Sequence, residues 1–75
     1  MEINKFIKLF SEQFDETPLD LFKSETVFKD FDEWNSLTAL SVISMVDEEY
    51  EKRITGADLR GCKTIEELYS LIQSK

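Results

Sequence analysis

A chain of 75 residues has room for one small domain, expected here to span 1–75, and a chain of this size buries roughly 60–65% of its unfolded surface. Apolar residues make up 41% and include six Phe, which is the composition of a chain that folds around a core rather than a disordered one. Sixteen acids against nine bases leave a net charge of −7, a surface that repels nucleic acid and anionic membranes and draws partners with basic patches.

Two Gly and one Pro punctuate the chain so sparsely that helix is favoured. Ile3, Phe6, Ile7, Phe10 and Phe14 recur at helical steps, so the first helix should run from Ile3 to Phe14 with these residues on its buried face. Thr17-Pro18 ends that pattern, because the residue before a proline is pushed out of the helical region. Residues 15–35 hold Leu19, Leu21, Phe22, Val27, Phe28, Phe31 and Trp34 without a sustained period. They read as a long loop anchored on the core, with a short strand at Thr26–Phe28 or a single helical turn after Pro18.

Asn35 or Ser36 can cap a second helix, since either side-chain oxygen can accept a backbone N–H of the first turn. That helix is expected from about Leu37 to Glu51. Ala39, Val42, Ile43, Val46 and Tyr50 gather on one side of it, flanked by Leu40, and Leu37 and Met45 point outward with Ser41, Ser44 and Glu48. Ile54 is a buried anchor. Thr55 and Asp58 have capping-box spacing and should open a short helix, Gly56 to Arg60, closed by Gly61 in a left-handed conformation. Thr64 and Glu67 repeat the box before a last helix whose buried face is Ile65, Leu68, Tyr69 and Ile72. The expected fold is all-α: three main helices, one short helix and a long first loop.

Few residues here can do chemistry unaided. The chain has no His, which removes the commonest general base and metal ligand and every Ser-His or Cys-His pair. Its single Cys, Cys62, excludes an internal disulfide, fits a reducing cytoplasm and is expected to be packed and inert. Asp30 and Asp32 are spaced like the opening of a calcium loop, but Trp34 falls on the third ligand position and no Gly follows for the turn. Adjacent carboxylates, Glu48-Glu49 and Glu66-Glu67, do not face each other on a helix, and unburied carboxylates stay too acidic for proton transfer near neutrality. No metal site is expected. Neither a run of about 20 apolar residues nor a leader-type pattern is visible, so membrane insertion is not expected. An autonomous active site is not expected either.

Ser36 is the exception. A helix start offers open N–H groups and partial positive charge, which suits an attached phosphate ester; by the same position Ser36 could be a simple cap. The segment Trp34-Asn35-Ser36-Leu37 resembles the Asp-Ser-Leu motif of acyl carrier proteins, in the variant preceded by Trp. The similarity continues through Leu40, Val46-Asp47-Glu48-Glu49-Tyr50, Ile54-Thr55 and Lys63-Thr64-Ile65. It is most specific from Trp34 to Ile72, and residues 1–33 match in general pattern.

The resemblance implies a four-helix bundle and a non-catalytic carrier of bacterial type with a 4'-phosphopantetheine arm on Ser36. A separate phosphopantetheinyl transferase installs the arm from coenzyme A, and its thiol holds acyl groups as thioesters. The implied pathways are fatty-acid-like, polyketide-like or otherwise specialised acyl biosynthesis. The implied partners are an acyl-activating enzyme or acyltransferase and ketosynthase-type enzymes with basic docking patches, each met transiently by a monomer. Leu37 and Met45 among Asp47, Glu48 and Glu51 form the expected docking ridge, and Val46, Ile54, Leu59 and Cys62 fall where the family can shelter an acyl chain. Asn35 departs from the family's usual Asp; it still caps a helix but removes a negative charge beside the attachment point. The alternatives are an unmodified acidic helical adaptor and a small calcium-responsive protein.

Overall fold

The apolar residues spaced along the start of the chain wind into helix α1 (Ile3–Ser11) in a computed structural model that describes residues 3–75. Phe6 and Phe10 are its buried residues. The helix stops short of the expected Phe14. Ser11 Oγ and Gln13 Nε2 donate to the last-turn carbonyls of Lys8 and Leu9 at 2.7 and 3.0 Å, satisfying acceptors that a helix end leaves open. The chain then tightens, with the Gln13 and Phe14 amides donating three residues back, and Phe14 reaches the core from this turn.

The long loop is held by bonds rather than by regular structure. A single 3-10 turn, Leu19–Leu21, follows Pro18 as expected, and a second covers Phe28–Asp30. In place of a strand at Thr26–Phe28 there is one antiparallel bridge, Val27 to Thr64. Beside it the Ile65 and Glu66 amides donate to the Thr26 and Ser24 carbonyls at 3.1 and 2.9 Å. The loop thereby satisfies the open amides of the last helix.

Helix α2 (Ser36–Tyr50) is capped by Asn35, whose Oδ1 accepts the Thr38 amide at 3.0 Å. It ends at Glu51, which takes a left-handed conformation with φ of 54°. Helix α3 (Gly56–Gly61) opens on the full capping box: the Asp58 amide donates to Thr55 Oγ1 at 3.1 Å and the Thr55 amide to Asp58 Oδ2 at 3.0 Å. Gly61 is the last helical residue and does not adopt a positive φ; Cys62 leaves the helix in an extended conformation. The short helix needs no left-handed turn because the chain runs straight on to the bridge at Thr64. Helix α4 (Ile65–Gln73) is capped by Thr64, and the Glu67 carboxylate accepts from Lys63 N at 2.7 Å rather than from Thr64 N.

Helix α1 packs on α2 and α4, and α2 on α3. The core between them is largely aromatic. Phe10 lies at its centre, 5.4–6.4 Å from the rings of Phe6, Phe14, Phe22, Phe28 and Trp34. Val42, Val46, Ile54, Leu59, Ile65, Leu68 and Ile72 complete it. Ala39, Ile43 and Tyr50, expected on the buried face of α2, pack against this core only in part. Among the described residues no helix is long and apolar enough to cross a membrane.

Candidate functional site

Two loop segments and one helix start bring Ser36 to the surface. The Glu33 carboxylate accepts the Asp15, Glu16 and Thr17 amides at 2.8–3.1 Å and also the Thr17 hydroxyl. These bonds hold its pKa below the ordinary carboxylate value, the Thr17 hydroxyl contributing most and partial desolvation opposing. Thr38 Oγ1 donates to the Glu33 carbonyl at 2.6 Å. Glu33 thus ties the loop that follows α1 to the start of α2. Trp34, next in the chain, lays its indole 4.9 Å from the Phe28 ring.

Ser36 is the first residue of α2 and is exposed. The cap is Asn35, so the Ser36 hydroxyl is not spent on capping. Among the described residues the Ser36 and Leu37 amides meet no acceptor, and the first turn holds no acid. A groove of about 300 Å³ opens beside Ser36 between α2 and α3, lined by Lys29, Trp34, Asn35, Ala39, Gly56, Leu59 and Arg60 as well as Ser36 itself.

The expected docking residues divide. Leu37 is 75% exposed, and Asp47, Glu48 and Glu51 are exposed too. Met45 is not outward: it is 5% exposed. Helix α1 lies against that flank of α2, so the buried stripe of α2 is wider than one face, and the flexible Met side chain fills the gap. Leu40, read only as a flank of the buried cluster, is 59% exposed. Its spacing of three from Leu37 was the available signal, since residues so spaced share a helix face. Leu37, Leu40 and Met45 line a second groove, about 530 Å³, with Leu9, Glu12, Glu48 and Glu49.

The four residues expected around an acyl chain, Val46, Ile54, Leu59 and Cys62, are all buried in the core. Of them Leu59 lines the groove beside Ser36. Burial, with Glu67 and Asp58 adding to it, pushes the Cys62 thiol pKa up and Lys29 offsets this in part, so the side chain is a neutral packing group. Asp30 and Asp32 are exposed, and among the described residues no cluster of three potential metal ligands forms.

The sequence matches the family model described as phosphopantetheine attachment site over residues 4–72. The chain belongs to this phosphopantetheine-attachment family. Comparison with curated proteins and with solved structures found no match.

The family match covers nearly the whole chain, and the four α-helices among the described residues, with a long first loop, agree with an acyl-carrier-like bundle. The prosthetic group of the family is covalently bound 4'-phosphopantetheine, whose thiol supplies a thioester linkage for acyl groups. The residues around Ser36 fit such a group. An exposed hydroxyl, two amides with no internal acceptor and an acid-free helix start all suit a phosphodiester. Trp34 was placed beside Ser36 by the motif, but Lys29 and Arg60 were not read as its neighbours from sequence; they are 31 residues apart and only the packing of α3 on the loop joins them.

Proposed function

We propose that this protein is a discrete acyl carrier whose arm is attached at Ser36. The observation that carries the reading is the Ser36 hydroxyl, exposed at the head of a helix of 15 residues that another side chain caps. In the loading step the Ser36 oxygen forms a bond to the phosphorus of coenzyme A and the pyrophosphate link breaks, releasing adenosine 3',5'-bisphosphate. The hydroxyl proton goes to a base of a separate transferase, which fits the lack of His in this chain. Asn35 fixes the helix start as an Asp would, with one negative charge fewer.

Partners are read on the α2 face. Leu37 and Leu40 give an apolar anchor, Asp47, Glu48 and Glu51 a charged rim, and Met45 supports the anchor from beneath. A small apolar patch within acidic residues raises the on-rate toward basic surfaces without long residence, which suits a shuttle that visits a transferase, an acyl-activating enzyme or acyltransferase and a ketosynthase-type enzyme. The expected setting is the cytoplasm, and the expected cargo is an acyl intermediate of fatty-acid-like, polyketide-like or other specialised biosynthesis.

Intact mass before and after incubation with coenzyme A, magnesium and a broad-specificity transferase tests the assignment. One phosphopantetheine is gained by the native chain and none by Ser36→Ala, whose circular dichroism should be unchanged. Full loading of Ser36→Ala would place the arm elsewhere. No loading of either chain, and none in protein from its native host, would favour an unmodified adaptor and point to Asn35.

A further inference from the structure

The groove beside Ser36 differs in charge from the rest of the molecule. Two other grooves on the described surface hold carboxylates: Glu12, Glu48 and Glu49 in one, Asp20 and Glu25 together with Lys23 in the other. The groove between α2 and α3 holds Lys29 and Arg60 and no acid, in a protein of net charge −7.

Neither cation is neutralised by an acid among the described residues. Asp58, the acid of α3, accepts the Thr55 amide and pairs with Lys75 at 3.4 Å. Lys29 Nζ donates to the Arg60 carbonyl at 2.9 Å; an ammonium has three donors, so others remain. That bond anchors the ammonium at the end of α3. The Arg60 side chain folds back one turn, as long helical side chains do. A Cβ placed at Gly56 would lie 3.4 Å from Arg60 Nη1. The guanidinium therefore lies over Gly56, at the start of α3, and both residues line the groove with Ser36.

We propose that Lys29 and Arg60 make this groove an anion site for the arm. They hold a negative charge that the arm brings to Ser36, either its phosphodiester or a carboxylate at the end of its cargo. The proposal rests on attachment at Ser36. Arg60 suits the task because its planar fork can donate two parallel bonds to a phosphate or carboxylate. The consequence is directional: an arm tethered at Ser36 is drawn across α3, away from the acidic docking groove on the α1 side.

The test compares native protein, Arg60→Gln and Arg60→Lys by two-dimensional NMR. Each is first shown by intact mass to be loaded, and each is examined with a free thiol, an acetyl or a malonyl group. The Arg60 side-chain N–H and the Gly56 amide are expected to shift on loading, and the Leu37 amide, next to Ser36, shifts in every loaded variant. The Gly56 shift should shrink several-fold in about 0.5 M sodium chloride, where charges are screened over roughly 4 Å, vanish in Arg60→Gln and partly return in Arg60→Lys. Shifts with all three groups identify the phosphodiester as the anion, and shifts confined to the malonyl form identify the cargo carboxylate. Full loading without a shift at Arg60, or an equal Gly56 shift in Arg60→Gln, overturns the anion site while leaving Ser36 standing. Should Ser36 not load, the Ser36 reading fails by mass, and the site is judged on the unloaded protein titrated with inorganic phosphate. A saturable shift at Arg60 then supports it, and a flat response sinks it.

Discussion

Glu33 is the residue on which the site most depends. Its carboxylate gathers three consecutive backbone amides and a hydroxyl from a segment 16–18 residues away, directly before Trp34, Asn35 and Ser36. A carboxylate so bonded has a lowered pKa in the folded protein. Its stabilisation is therefore present above the unfolded value and is lost as pH falls through the folded one. Asp58, lowered chiefly by the Thr55 amide, has the same sign. Urea unfolding from neutrality down into the range below ordinary carboxylate values should show the midpoint falling with acid. Glu33→Gln should have a lower midpoint at neutral pH, because an amide offers one acceptor oxygen and turns an NH2 toward donors. Its midpoint should also respond less to acid; an unchanged slope would remove Glu33 from the account. None of this could be read in sequence, where Glu33 is one of 16 acids and the amides it binds lie in the preceding loop.

Helix boundaries were legible where a side chain signals them and misread where packing decides. Thr55 with Asp58, Thr64 before Glu67, and Asn35 before Ser36 all cap the helices the spacing indicated. The end of α1 was set instead by Ser11 and Gln13 bonding to its last carbonyls, and Met45, expected outward, is buried where the neighbouring helix covers it. Conformation was also misassigned between two residues: Gly61 has no positive φ, while Glu51, with a side chain, has φ of 54°. A left-handed conformation costs a residue with a Cβ roughly 1–2 kcal/mol, and glycine returns part of that through the entropy of the unfolded chain. Glu51→Gly is therefore expected to raise stability by about 0.5–1 kcal/mol in chemical denaturation. A loss of stability would mean the Glu51 side chain makes contacts that outweigh the backbone strain.

For the whole molecule, the main support is the aromatic cluster. A folded domain of this length has a net stability of roughly 4–11 kcal/mol at about 0.05–0.15 kcal/mol per residue. Phe10 is fully buried and touches five other rings. Truncating such a Phe costs about 3–5 kcal/mol, a large part of the whole. Phe10→Ala should accordingly lose most of its near-ultraviolet circular dichroism or unfold at far lower denaturant, with Phe10→Leu intermediate. A variant as stable as the native chain would show that the rings around Phe10 close the gap. The all-helical class and the positions of Phe6, Phe10 and Phe14 were legible from their spacing. The inward rings of the loop, Phe22 and Phe28 among them, could be recognised as anchors but not assigned partners, because their contacts join segments without a shared period.

The place of Trp34 has one more consequence. It is the chain's single tryptophan, half-buried, stacked toward Phe10 and Phe14 at 6.4 and 6.3 Å and lining the same groove as Ser36. Indole emission moves with the polarity of its surroundings, and here all of it comes from one position, two residues from the hydroxyl proposed to carry the arm. The protein carries its own dye at the mouth of the groove beside Ser36, so its fluorescence, excited beyond the absorption of the two tyrosines, reports on what occupies that groove without a label being added.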